Sequence, residues 1–197
     1  MIQPLNQMIN MVSTVVEKCD PYTWGHQDRV ATLATTLGKR LKVSGEALKH
    51  LQLGAVIHDL GKIAIPAQIL NKPGKLNEHE FGVIREHPIT GFDIIRHVEL
   101  LEPLADIVLQ HHERLDGSGY PHRLQGQQIA PQARIIAVVD VVEAITSHRP
   151  YRPARSLNVA IEELESNVSR FYDADVVKAF LSLWRRGRIK LEGWQTS

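Results

Sequence analysis

The sequence predicts an all-α fold, arranged as a helical bundle in a single domain, from three observations. The length of 197 residues suits one domain with a sizeable core. Apolar residues recur at helical spacing through nearly the whole chain. No internal repeat, heptad array or low-complexity tract divides the chain into further units.

Most of the predicted helices begin or end at a recognisable signal. The first is amphipathic, covers residues 1–19 and ends before Pro21, because proline disfavours a helix in the residue before it. We expect it to pack on a domain formed by residues 20–197, or to be the remnant of a linker. Ser44 and Asn77 are predicted N-caps, and His87-Pro88 is expected to break the chain between two helices. The other helices are predicted at about 26–41, 44–59, 77–84, 91–97, 103–112, 133–148, 157–167 and 173–186.

Composition excludes several classes of protein. The net charge of +1 gives no global field to hold DNA or RNA. A single cysteine, Cys19, excludes an intrachain disulfide and a cysteine zinc cluster, and it suits a reducing compartment. The most apolar run, Ile135 to Val142, is too short to span a membrane. We therefore expect a cytoplasmic protein without nucleic-acid or membrane partners.

An acidic residue lies within that apolar run. Asp140 is flanked by valines in a helix that is apolar nearly all round, so the helix is predicted to be buried. An unpaired carboxylate there would cost several kcal/mol. Asp140 therefore needs a partner, either an arginine or a metal ion.

Histidines and a second aspartate mark the ends of other predicted helices. Taken alone, an adjacent pair such as His58-Asp59 or His111-His112 is typical of an ordinary helix end. Together the donors contain no thiolate, which suits iron, manganese, zinc, nickel or cobalt. They are too many for one tetrahedral ion and suit two ions that share a carboxylate. Two ions about 3.5–4 Å apart are a common arrangement for phosphoester hydrolysis. The candidate ligands are His26, His58, Asp59, His87, His111, His112 and Asp140.

Longer motifs connect these residues. They are Asp-Pro-Tyr-Thr-Trp-Gly-His at 20–26, His-Asp-Leu-Gly-Lys-Ile-Ala-Ile-Pro at 58–66, His-His-Glu-Arg-Leu-Asp-Gly-Ser-Gly-Tyr-Pro at 111–121, and Arg-Pro-Tyr-Arg at 149–152. With these motifs the chain resembles the HD-GYP family of the HD phosphohydrolase superfamily over roughly residues 20–180.

The resemblance implies an HD-type helical bundle that hydrolyses cyclic di-GMP to pGpG and, in many members, onward to GMP. It implies the same seven metal ligands, holding two divalent transition-metal ions with iron or manganese foremost. Asp59 would bridge the ions, and a hydroxide between them would attack phosphorus. Asp59 and Lys62 are the predicted catalytic residues. Predicted substrate contacts are Lys62 at the scissile phosphate, Arg149 and Arg152 at the phosphates, and Tyr120 of the Gly-Tyr-Pro motif beside the site.

Some points stay open. The family usually has glycine where this chain has Arg123. The arginine side chain could face solvent, reshape the loop or contact a phosphate. The substrate alternatives are another cyclic dinucleotide, such as cyclic GMP-AMP, or binding without turnover by a receptor or docking module. A diguanylate cyclase (GGDEF) domain and a sensor or receiver domain are candidate partners, and the first helix is a candidate homodimer interface.

Overall fold

The computed structural model describes residues 2–20, 24–148 and 153–189, and it confirms the all-α prediction. Within these ranges, β pairing is limited to isolated bridges between Asp116 and Gln125 and between Val168 and Tyr172. The α-helices are α1 (Ile2–Cys19), α2 (His26–Arg40), α3 (Gly45–Ile57), α4 (Ala67–Leu70), α5 (Glu78–Ile84), α6 (His87–Ile95), α7 (Ala105–Gln110), α8 (Pro131–Thr146), α9 (Leu157–Ser166) and α10 (Ala174–Arg185), with short 3-10 helices at Leu60–Ala64, Glu102–Leu104 and Gly126–Gln128.

Helix α8 lies at the centre of the core. Ile136, Val138, Val139 and Val142 on this helix are fully buried. The helix packs against α2, α3, α7, α9 and α10, so its apolar surface is covered on several sides. A polar side chain on the buried face of α8, such as Glu143, is therefore held in position by close-packed neighbours.

Helix α1 also contributes to the core. Its Ile9 and Val16 are buried in the same apolar cluster as the residues of α8. The helix contacts α3 and the 3-10 helix at Leu60–Ala64. The division of the chain at residues 19 and 20 stays a prediction. No helix in the described part of the chain combines the length and the apolar character that crossing a bilayer requires.

The helix ends agree with the sequence signals in some places and not in others. Asn77 forms the predicted cap, since its side chain accepts from the Glu80 amide at 2.9 Å and Glu80 accepts from the Asn77 amide at 2.8 Å. Ser44 occupies the N-cap position of α3 without a side-chain capping bond. The predicted start of a helix at Gly91 was wrong: α6 begins at His87, because proline is tolerated in the first turn of a helix, where no amide donor is needed.

Two glycines let α6 cross the 3-10 helix at close range. A Cβ atom on Gly61 would lie 1.8 Å from the His87 carbonyl oxygen and 2.6 Å from the Gly91 nitrogen. Only glycine permits this approach of two backbones. The crossing places His87 beside Asp59, which precedes the 3-10 helix.

Candidate metal centre

Three buried histidines share one local arrangement at a helix boundary. His58 follows the last residue of α3, His111 follows α7, and His87 begins α6. In each, Nδ1 lies 2.7 Å from the carbonyl oxygen three residues earlier, that of Ala55, Val108 or Ile84. A carbonyl can only accept, so Nδ1 carries the proton and donates. Each Nε2 therefore presents a lone pair to the interior of the site.

A fourth histidine reaches the same result through a carboxylate. His26 begins α2, and its Nδ1 lies 2.6 Å from Oε2 of Glu143 on α8. The Nδ1–H group donates to that carboxylate, which leaves Nε2 as the free acceptor. Oε1 of Glu143 accepts from Nε and Nη2 of Arg29 at 2.9 and 2.7 Å, and from the Ser147 hydroxyl at 2.7 Å. Glu143 is 0% exposed, so it is a buried carboxylate that orients His26.

The structure brings together all seven predicted ligands, in two groups whose donor atoms lie within 4.8 Å of one another. Asp59 joins the groups. Its Oδ1 lies 3.3 Å from Nε2 of His87, and its Oδ2 lies 3.5 Å from Nε2 of both His26 and His58. Asp59 therefore directs one carboxylate oxygen at each group, which is the geometry of a bridging ligand. The groups are Asp59, His87, His111 and His112, and His26, His58 and Asp140.

The donor atoms fit divalent cations. Nε2 of His26 and Nε2 of His58 lie 3.3 Å apart, and Nε2 of His87 and Nε2 of His111 lie 3.2 Å apart. With Nδ1 as the protonated nitrogen in every ring, these are pairs of facing lone pairs, which repel unless a cation lies between or beside them. Burial lowers the pKa of His58, and burial together with His58 and His87 holds the pKa of His111 well below its usual value. Neutral imidazoles and carboxylates suit transition-metal ions.

A lysine accompanies the shared carboxylate. Nζ of Lys62 lies 2.7 Å from Oδ2 of Asp59 and 3.8 Å from Oδ2 of Asp20. Burial alone would raise the pKa of Asp59. The ammonium group of Lys62, 2.7 Å away, outweighs that effect and holds the pKa well below the usual carboxyl range. Asp59 is therefore ionised, and the ammonium group of Lys62 places a positive charge at the edge of the centre.

The loop at 111–130 covers one side of the centre. The carboxylate of Glu113, 2% exposed, accepts from the His122 amide at 2.7 Å and the Leu124 amide at 3.0 Å. This folds the loop back on itself and presents Tyr120, whose ring stacks on His112 with centroids 4.7 Å apart. The predicted substrate contact Tyr120 therefore borders the metal centre.

Other predicted and missed residues complete the description of the site. Arg149 and Arg152 lie outside the described residues. Glu143, Glu113 and Asp20 support the site and were not predicted from the sequence. A signal existed for Glu143, which follows Asp140 by three positions in the same apolar helix and so lies on the same face.

Comparisons with known proteins agree with this architecture. The model of the HD domain family matches residues 8–176. The chain therefore belongs to the HD-domain family, and the family predicted from the motifs is confirmed.

The similar proteins include curated relatives and solved structures. The chain is 37% identical over 188 residues to the cyclic di-GMP phosphodiesterase response regulator RpfG of Xanthomonas campestris pv. campestris, covering 94% of this chain and 49% of the relative. It is 38% identical over 168 residues to the 3'3'-cGAMP-specific phosphodiesterase 1 of Vibrio cholerae, covering 85% and 39%. An HDG"Y"P protein from Bdellovibrio bacteriovorus superposes with a TM-score of 0.68 at 20% identity, covering 81% and 51%, and shares the fold. The chain spans at most about half the length of these proteins.

Proposed function

We propose that the chain is a metal-dependent phosphodiesterase that opens cyclic di-GMP to pGpG and carries the product on to GMP. The observation that carries this proposal is Asp59, with one carboxylate oxygen directed at each group of donors. Two ions held in this way, when bound, supply Lewis acidity to phosphoryl oxygens and lower the pKa of a water molecule. Relatives named as cyclic di-GMP phosphodiesterases support the choice of substrate.

The residues of the chain hold and orient the reacting groups. The histidine nitrogens and the carboxylates of Asp59 and Asp140 would hold the ions, and buried hydrogen-bond partners fix the orientation of four imidazoles. Lys62 stabilises negative charge that develops on the scissile phosphate. Tyr120 packs against His112 and excludes water from one side of the centre.

Cyclic GMP-AMP is the second candidate substrate. The observation that favours it is the 38% identity to a relative named for that ring, which lies among the identities of 37%, 38% and 41% to three relatives named for cyclic di-GMP. Both rings present the same two phosphodiesters, so the metal centre suits either. The two rings differ in one base, guanine or adenine, and residues outside the metal centre would distinguish these bases.

The test is turnover by metal-loaded protein with each ring in turn. Protein purified without chelator is supplied with iron under reducing conditions, or with manganese, and the products are followed by mass spectrometry. We expect pGpG and then GMP from cyclic di-GMP, and loss of both on chelation or in Asp59→Ala. Faster cleavage of cyclic GMP-AMP than of cyclic di-GMP would identify cyclic GMP-AMP as the substrate. Binding of either ring without cleavage would identify the protein as a receptor. Three further points stay predictions: a GGDEF, sensor or receiver domain as partner, the formation of a homodimer, and a cytoplasmic location.

A further inference from the structure

An open cleft lies directly beside the metal centre. The cleft has a volume of about 380 Å³ and is lined by Arg85, Glu86, Arg123 and the loop segment 117–121. The cleft adjoins the centre through Tyr120, which stacks on His112, and through Arg85, which precedes His87 by two residues. A ligand at the metal centre that extends past the Tyr120 ring would therefore enter this cleft.

Arg85 is an exposed cation held over aromatic rings. Its guanidinium lies 4.5 Å from the centroid of Phe81 and 5.9 Å from that of Tyr120. No carboxylate of the described residues forms a salt bridge with it. Arg96 provides the contrast, since it lies 5.6 Å from the centroid of Phe92 and also pairs with Asp93 at 3.1 Å. The charge of Arg85 is thus directed at the cleft and is not neutralised by an ion pair there.

Arg123 occupies a backbone conformation that favours glycine. Its φ of 57° lies in the left-handed region, which costs an L-residue free energy and costs glycine almost none. The conformation is imposed from both sides, because the amides of His122 and Leu124 donate to the two oxygens of Glu113. Within the described chain Arg123 also lacks a salt-bridge partner. A long cation at a position suited to glycine points to a function for its charge.

We propose that Arg85 and Arg123 bind the phosphodiester of the cyclic dinucleotide that is not being cleaved, a role that rests on the proposed function. A cyclic dinucleotide carries two phosphodiesters, and the metal centre takes one of them. Guanidinium groups are suited to phosphate through paired N–H donors. Glu86 is the one carboxylate side chain in the lining, against two arginines, so the cleft favours an anion.

The experiment compares kcat and KM of Arg85→Ala and Arg123→Gly with those of wild-type protein and the control Arg96→Ala. The substrates are cyclic di-GMP, an analogue in which one phosphodiester is a neutral methylphosphonate, and bis(p-nitrophenyl) phosphate, which has no second phosphate. Arg123→Gly removes the side chain while relieving the backbone, so it is expected to stay folded.

We expect each cleft variant to raise KM for cyclic di-GMP about tenfold, equivalent to about 1.4 kcal/mol. We expect kcat to stay within about twofold, and hydrolysis of the small diester and the properties of Arg96→Ala to be unchanged. The methylphosphonate ring should not distinguish the cleft variants from wild type. An unchanged KM for cyclic di-GMP, or an equal loss with the methylphosphonate ring, would overturn the inference.

Equilibrium binding separates this inference from the proposed function. If wild-type protein binds cyclic di-GMP by calorimetry but cleaves no ring, the proposed function fails, and the Kd values of the same variants decide the role of the arginines. If wild-type protein does not bind either ring, both proposals fail.

Discussion

Replacing Glu143 by glutamine tests whether buried hydrogen bonds prepare His26 to bind metal. The carboxylate accepts from His26, Arg29 and Ser147. A glutamine has one acceptor oxygen. If that oxygen keeps the hydrogen bonds from Arg29 and Ser147, the amide NH2 group faces Nδ1 of His26. Two N–H donors cannot pair, so the ring must move its proton to Nε2. Nε2 is the nitrogen that faces Asp59 and Asp140 at 3.5 Å, and it would lose its lone pair.

The size of the effect follows from the contacts. Removing one partner of a buried ion pair costs about 3–5 kcal/mol. The Arg29 side chain is 21% exposed, so water can solvate it in part, and we expect the low end of that range, about 3 kcal/mol. Loss of a carboxylate that orients a ligand histidine should also weaken metal binding by about 10–100-fold.

Urea unfolding of metal-free protein and metal titration by calorimetry measure the two effects. The matched control is Glu163→Gln, because half-buried Glu163 accepts from the Tyr172 hydroxyl at 3.0 Å and, within the described residues, forms no hydrogen bond or ion pair with a metal donor. We expect the control to lose about 1 kcal/mol or less and to bind metal normally. Equal losses of stability in the two variants, with unchanged metal affinity in Glu143→Gln, would show that Glu143 does not prepare His26 to bind metal.

Two further substitutions test the backbone crossing and the lysine. Gly61→Ala places a Cβ 1.8 Å from the His87 carbonyl oxygen and should lower the unfolding free energy by about 3 kcal/mol or more, measured by urea unfolding. Gly82→Ala, whose Cβ meets nothing within 4 Å, should raise it by up to about 1 kcal/mol, and similar results for the two would contradict the close approach. Lys62→Met should lower kcat for cyclic di-GMP about 100-fold while metal content stays unchanged. Lys49→Met, which removes the partner of the exposed Glu46 on α3, should have no effect, and full activity in Lys62→Met would exclude a role in turnover.

The helices and the ligand histidines have local signals in the sequence. Helical periodicity predicted most of the helices, and the histidines could be recognised because they lie at helix boundaries beside aspartates. The start of α6 was misplaced because proline both ends a helix and suits the first turn of the next. The periodicity could not indicate which helices cross, or that Gly61 and Gly91 bring two backbones together.

The residues that support the ligands were harder to predict. Glu113 and Arg29 act through partners that are distant in sequence or determined by loop conformation, so spacing alone does not reveal them. Arg85 looks like an ordinary exposed helix-end cation until the loop carrying Tyr120 is placed opposite it. The ligands can be inferred from their chemistry, whereas their supports depend on tertiary contacts.

Electron paramagnetic resonance of protein titrated with Mn²⁺ would show whether Asp59 joins two metal ions. Two ions bridged by one carboxylate lie close enough for their spins to couple, so we predict the broad spectrum of a coupled pair at about two Mn²⁺ per chain. Asp59→Ala should lose that spectrum. Saturation at one Mn²⁺ with the spectrum of an isolated ion, or no binding by the folded protein, would exclude a bridged pair of ions at Asp59.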